Sequence, residues 1–82
     1  MIITYNLYSL KKQLEINAQR DYTWDQIALD SGVHRNTLLN MASDKTRRVD
    51  LDIMARLLTY FHAEGMPITP NDLFIVEDSP SE

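Results

Sequence analysis

The chain is predicted to adopt an all-α fold, a compact bundle of four to five helices, with short β-strands available at its two ends. Apolar residues recur at helical spacing in several segments, recognisable helix starts precede them, and glycines end two of them. A chain of 82 residues has room for one domain and buries only about 60% of the surface its unfolded form exposes. We assign residues 1–77 to that domain and residues 78–82 to a flexible acidic tail.

Composition excludes several classes of protein. The chain has no cysteine, so disulfides cannot supplement its core and no thiolate metal site is available. Its apolar N-terminal residues stop after a few positions, unlike those of a signal peptide, and no apolar run approaches the ~20 residues of a membrane span. We therefore expect a soluble, cytoplasmic protein with no membrane partner.

The net charge of −4 argues at first against a nucleic-acid partner, but the charges are unevenly distributed. Residues 64–82 contain five acids and no base, whereas residues 1–63 hold all eight Lys and Arg against seven acids. Between Arg35 and Arg48 there are four bases and one acid. Because attraction to phosphate depends on the contact face more than on total charge, this stretch is compatible with DNA binding.

The two ends of the chain contain β-prone segments next to helix signals. Met1 to Tyr5 is β-branched and aromatic, and Asn6 is the expected cap of a first helix with the apolar stripe Leu7, Leu10 and Leu14. A later helix begins at Asp50, a one-turn helix follows Thr69, and Leu73 to Val76 is again β-prone. The two β-prone segments could pair within one chain or across a dimer, and we expect the dimer surface there.

The most informative stretch is Thr23 to Lys45, which predicts two short amphipathic helices. Thr23 followed three residues later by Gln26 matches a capping box, and Gly32 suits a turn that needs positive φ. The second helix spans about 34–42. Its inward side has Leu38 and Met41, and its outward side has Arg35, Asn36, Leu39, Asn40 and Ser43. Two helices crossing at a tight glycine turn form a helix-turn-helix, which inserts its second helix into a DNA groove.

An ordered set of residues extends this pattern from about Leu7 to Leu73. It comprises Thr23, Ile27, Ala28, Gly32, Val33, Leu38 and Met41, then Leu51, Met54, Leu57 and Phe61, and finally Pro70-Asn71-Asp72-Leu73. The set resembles the Cro/C1-type (XRE) helix-turn-helix family, the phage-repressor-like transcription regulators. The resemblance implies a bundle of four or five helices, a recognition helix in the major groove, a homodimer, and a bacterial or phage-type, nucleoid-associated location. The sequence departs from the family pattern at Trp24, His34, Ala42 and Asp44.

The outward side of the second helix is the expected reading surface. Arginine can form hydrogen bonds with O6 and N7 of the same guanine, and asparagine can form them with N6 and N7 of the same adenine. An outward leucine could contact a thymine methyl, although a solitary exposed leucine is also ordinary. We therefore predict base contacts from Arg35, Asn36, Leu39 and Asn40, with a solvated helix face as the plainer interpretation of the same residues.

Contacts to the DNA backbone are expected from residues on either side of that surface. Basic side chains after the helix fit phosphate contacts, which position a protein without reading sequence. At the start of the preceding helix, an indole N–H could reach a phosphate or the ring could simply pack against its neighbours. The predicted backbone contacts are Thr23, Trp24, Ser43, Lys45, Arg47 and Arg48.

Other chemistries are not indicated. His34 and His62 have no partner at ligand spacing, so no metal site is expected. The acids are dispersed and two glycines cannot form a phosphate-binding loop, so we expect no enzyme and no cofactor.

Two functions remain open on the sequence. The first is a repressor-like regulator that binds a palindromic operator in double-stranded DNA as a dimer. The second is a protein-interaction module, such as an antitoxin or accessory subunit that binds a toxin, which has lost or only partly kept DNA binding. The overall acidity and the unusual Trp24 and His34 favour the second.

Overall fold

The computed structural model describes residues 2–43, 45 and 48–77 of the chain. In order along the chain, the elements are β1 (Ile2–Tyr5), α1 (Leu7–Ala18), α2 (Trp24–Ser31), α3 (Arg35–Ala42), α4 (Leu51–Ala63), a 3-10 turn (Pro70–Leu73) and β2 (Phe74–Glu77). The fold is mostly helical, with the small sheet that the sequence allowed at its ends. None of the described helices is both long and apolar enough to cross a bilayer. Residues 78–82, the predicted tail, lie outside the described part.

The core lies among the four helices and is closed by the 3-10 turn. Helix α2 packs against α3 and α4, and α1 packs against α3. The most completely buried side chains are Leu7, Leu14, Ile27, Leu38, Leu57, Phe61 and Leu73. Leu38 and Met41 are 0% and 3% exposed, which confirms the predicted inward side of α3. That side anchors α3 to the body of the protein.

The two terminal strands pair antiparallel within one chain, with Ile2 opposite Glu77 and Tyr5 opposite Phe74. This is one of the two arrangements that the sequence left open. Asn6 follows β1 and occupies the cap position of α1, as predicted, but its side chain does not cap the helix. Its amide nitrogen donates instead to the backbone oxygen of Asp72 at 3.1 Å, and its backbone N–H donates to Leu73 O at 2.8 Å. Asn6 therefore joins the two ends of the fold.

The turn between α2 and α3 requires its glycine. Gly32 has φ of 77°, and its N–H donates to Ala28 O at 3.0 Å. A Cβ at this position would lie 2.8 Å from Arg56 Nη1, the end of a flexible side chain that can move, so the main cost of a larger residue is backbone strain at positive φ. The predicted positive φ is confirmed.

The start of α2 is capped on one side only. Thr23 Oγ1 accepts from the Gln26 N–H at 3.1 Å, as a capping box requires. The side-chain amide of Gln26 donates to Asp30 Oδ2 at 2.8 Å instead of returning to Thr23. The prediction of a reciprocal box is therefore wrong, because an acid one turn ahead competes for the amide.

Candidate nucleic-acid interface

Helix α3 has an exposed outward side with no acidic residue. Arg35, Asn36 and Asn40 are exposed on it, and the eight residues of the helix include one base and no acid. Leu39 is partly buried, so it offers less apolar surface than the sequence predicted. The structure thus brings three of the four predicted base-reading side chains to the solvent on one short helix.

The N-terminus of α3 is capped by an imidazole. His34 occupies the cap position, and its Nδ1 accepts from the Asn36 N–H at 3.2 Å. A ring nitrogen therefore takes the place of a hydroxyl oxygen. The dipole of a helix makes its N-terminal end favourable for an anion.

Arg35 forms an ion pair that the sequence did not reveal. Its Nε lies 2.6 Å from Oδ1 of Asp25, in the first turn of α2, and the two side chains are 52% and 76% exposed. From the sequence alone, Asp25 is explained as an acid that stabilises the positive N-terminal end of α2. Only the packing of α2 against α3 brings the two residues together. The contact lies at the N-terminal end of the predicted reading surface.

The predicted backbone contacts near α2 and at the end of α3 already have partners within the chain. Thr23 caps α2, and its hydroxyl hydrogen is not used in that bond. Trp24 is partly buried against the core, and Lys11 Nζ lies 5.4 Å from the centroid of its ring. Ser43 Oγ donates to Leu39 O at 2.7 Å. A phosphate contact through the Ser43 hydroxyl hydrogen would have to replace that bond.

The loop after α3 is attached at both of its described ends. The Lys45 N–H donates to Asn40 O at 2.8 Å, which continues the C-terminal turn of α3. The Arg48 carbonyl accepts from the hydroxyl of Tyr5 in β1. Lys45 and Arg48 are exposed, so their side chains are accessible beside α3. The third predicted phosphate contact of this loop, Arg47, lies outside the described residues.

A cleft of about 260 Å³ lies behind α3, between that helix, the loop and α4. Its lining is Tyr5, Thr37, Asn40, Met41, Arg48, Asp50, Ile53 and Met54.

Burial and the nearby negative charge of Asp50 raise the pKa of the Tyr5 hydroxyl. Tyr5 therefore remains a neutral donor that holds the loop to the sheet. Sequence reasoning missed this role because β1 and the loop are distant in the chain.

Within the described ranges, no group of His, Cys, Asp and Glu side chains is arranged to hold a metal ion. In comparisons with known proteins, no family model, no curated protein and no solved structure matches the chain.

Proposed function

We propose that the chain is a sequence-specific double-stranded DNA-binding transcriptional regulator, repressor-like and of the Cro/C1-type helix-turn-helix class. In this proposal α2 and α3 form the motif, and residues 34–42 lie in the major groove. Arg35, Asn36, Leu39 and Asn40 contact bases, while Lys45 and Arg48 contact phosphates. The observation that supports it best is the outward side of α3, where Arg35, Asn36 and Asn40 are exposed. The opposite side anchors the helix through Leu38 and Met41.

A homodimer on a palindromic operator is part of this proposal. Two recognition helices related by a two-fold axis would read half-sites roughly 34–36 Å apart, about one duplex turn. The exposed apolar side chains of the sheet offer a surface for a second copy. Ile3 and Val76 are opposite each other and are 54% and 58% exposed, and they line a groove together with Val49.

The dimer can be tested by sedimentation of the wild type and of a Val76→Lys variant. We expect a dimeric wild type, and a variant that is monomeric and loses affinity for a full palindrome while keeping its affinity for a half-site. A wild type that stays monomeric on a palindromic duplex would contradict the two-fold arrangement.

The DNA-binding proposal is tested by selection from random duplexes, followed by fluorescence anisotropy at two salt concentrations. We expect enrichment of one two-fold symmetric site, bound about 10³-fold or more tightly than a scrambled duplex. Affinity should fall as salt rises, because phosphate contacts release counterions. No enrichment, together with no binding at low salt, would contradict the proposal.

One observation favours the alternative of a protein-interaction module. Ile16 on α1 and Leu29 on α2 are 71% and 78% exposed, and such apolar side chains can anchor a protein partner such as a toxin. The same anisotropy experiment separates the two functions, since an interaction module without DNA binding gives no signal at low salt. A regulator that also binds a toxin would satisfy both.

A further inference from the structure

The ion pair between Asp25 and Arg35 links two helices rather than two turns of one helix. Asp25 lies in the first turn of α2, and Arg35 is the first residue of α3. An ion pair between largely exposed side chains contributes little to stability, because water and salt screen it. The ion pair is therefore of interest for its position at the proposed reading surface, and not for its contribution to stability.

The contact uses one part of the guanidinium. The 2.6 Å distance joins Asp25 Oδ1 to Nε of Arg35. A guanidinium has five N–H donors in a rigid plane, so a carboxylate at Nε leaves the hydrogens of the two terminal nitrogens on the far edge. Guanine presents O6 and N7 to two such parallel donors. A guanidinium that contacts a carboxylate at Nε therefore still has, on its two terminal nitrogens, the donors that guanine recognises.

The carboxylate also disfavours a different partner for Arg35. A phosphate competes with guanine for any mobile arginine near DNA, and it offers the same bidentate geometry. Asp25 is 76% exposed, so its negative charge is accessible to a phosphate approaching Arg35 and repels it at short range. Guanine has no net charge and is not repelled in this way.

We propose that Asp25 is a positioning residue that makes Arg35 select guanine over phosphate. This inference rests on the proposed function and specifies how the same surface achieves sequence specificity. Asp25 lowers affinity for DNA in general and raises the ratio of specific to non-specific affinity. Its removal should therefore change that ratio, which a purely structural residue would not do.

The chain offers a matched control for this test. Asp52, in the first turn of α4, pairs with Arg56 at 3.0 Å, and its side chain and that of Arg56 are 74% and 50% exposed. The two pairs thus have similar exposure, and both aspartates lie in the first turn of a helix, but the Asp52 pair is confined to α4. Asp25→Asn and Asp52→Asn are isosteric and remove one charge each.

The experiment measures the affinity of both variants for the selected duplex and for a scrambled duplex at fixed salt. Asp25→Asn should bind the scrambled duplex several-fold more tightly, and its ratio of specific to non-specific affinity should fall by about tenfold. Asp52→Asn should keep the wild-type ratio within about twofold. In an Arg35→Ala background, Asp25→Asn should no longer change the ratio, since Asp25 acts through Arg35.

Several results would overturn the inference. If Asp25→Asn tightens binding to both duplexes by the same factor, the affinity ratio is unchanged and Asp25 acts only as a general negative charge. A positioning role would also be contradicted if Asp25→Asn changed the ratio as much in the Arg35→Ala background as in the wild type. The wild type is measured first: if it selects no duplex, the proposed function fails and the inference with it. If the wild type selects a site but Asp25→Asn keeps its ratio, only the inference fails. Thermal unfolding of both variants shows whether either change damages the fold.

Discussion

Helices α3 and α4 begin in opposite ways. At the start of α4, one oxygen of Asp50 accepts from the N–H groups of Asp52 and Ile53 at 2.9 and 3.2 Å, and Asp52 adds a second acid. The start of α3 has a single cap bond from His34, no acid in its first turn, and the cation Arg35 as its first residue.

The start of α4 is thus stabilised by its own capping residues, whereas the start of α3 leaves room for a ligand. Negative charge stabilises the positive end of a helix, and a cation at that end opposes it. The start of α4 is therefore satisfied by its own chain. The start of α3 has one cap bond, and its cation Arg35 pairs with Asp25 of α2. An exposed helix start can bind an anion, and under the proposed function that anion is DNA.

Removal of the cap of α4 is expected to destabilise the fold. Asp50→Ala should lower the free energy of unfolding by about 1–2 kcal/mol, because it removes two cap bonds and a favourable charge. Asp50→Asn keeps a capping oxygen and should cost only a few tenths of a kcal/mol. Urea unfolding of both variants checks this. Equal destabilisation by the two substitutions would show that charge, not capping, dominates at this end.

An acidic cap at the start of α3 would make it resemble the start of α4. His34→Asp keeps a side-chain acceptor and adds an acid, so it should raise the free energy of unfolding by about 0.5–1 kcal/mol. The same charge should weaken binding to the selected duplex by about tenfold or more, because it faces phosphates. His34→Ser, a neutral cap, should leave DNA binding close to wild type. A His34→Asp variant that binds DNA normally would contradict an anionic partner at this end.

Glu15 is an acid that stabilises the fold away from α3. Its carboxylate accepts from the Tyr22 N–H and from Lys11, both at distances near 3 Å, and these bonds lower its pKa. A carboxyl group with a lowered folded-state pKa stabilises the protein at pH values above its unfolded pKa. That contribution is lost as the pH falls through the lowered folded-state pKa.

Stability of the wild type should therefore decrease on acidification more than that of Glu15→Gln. The measurement is urea unfolding between pH 7 and about pH 3, across the ordinary range of carboxyl pKa values. Asp21→Asn, at an exposed acid in the α1–α2 connection, is the matched control. Parallel pH profiles for Glu15→Gln and the wild type would contradict this account of Glu15.

The features that the sequence predicted correctly depend on near neighbours. The cap at Asp50, the positive φ of Gly32 and the inward side of α3 follow from residues within one or two helical turns. Asn6 was placed correctly as a helix start, yet its side chain binds Asp72, 66 residues away. The Asp25–Arg35 pair and the Tyr5 hydroxyl bond likewise depend on how distant segments pack. No spacing in one sequence indicates such contacts.

Base reading by α3 is tested by fluorescence anisotropy of Arg35→Ala and Arg56→Ala on the selected and scrambled duplexes. Both arginines pair with an aspartate, but only Arg35 lies on the outward side of α3. Arg35→Ala should weaken the selected duplex by about 10- to 100-fold and the scrambled duplex by less than about threefold. Arg56→Ala should change neither by more than about twofold. Equal losses on the two duplexes for Arg35→Ala would contradict base reading by α3.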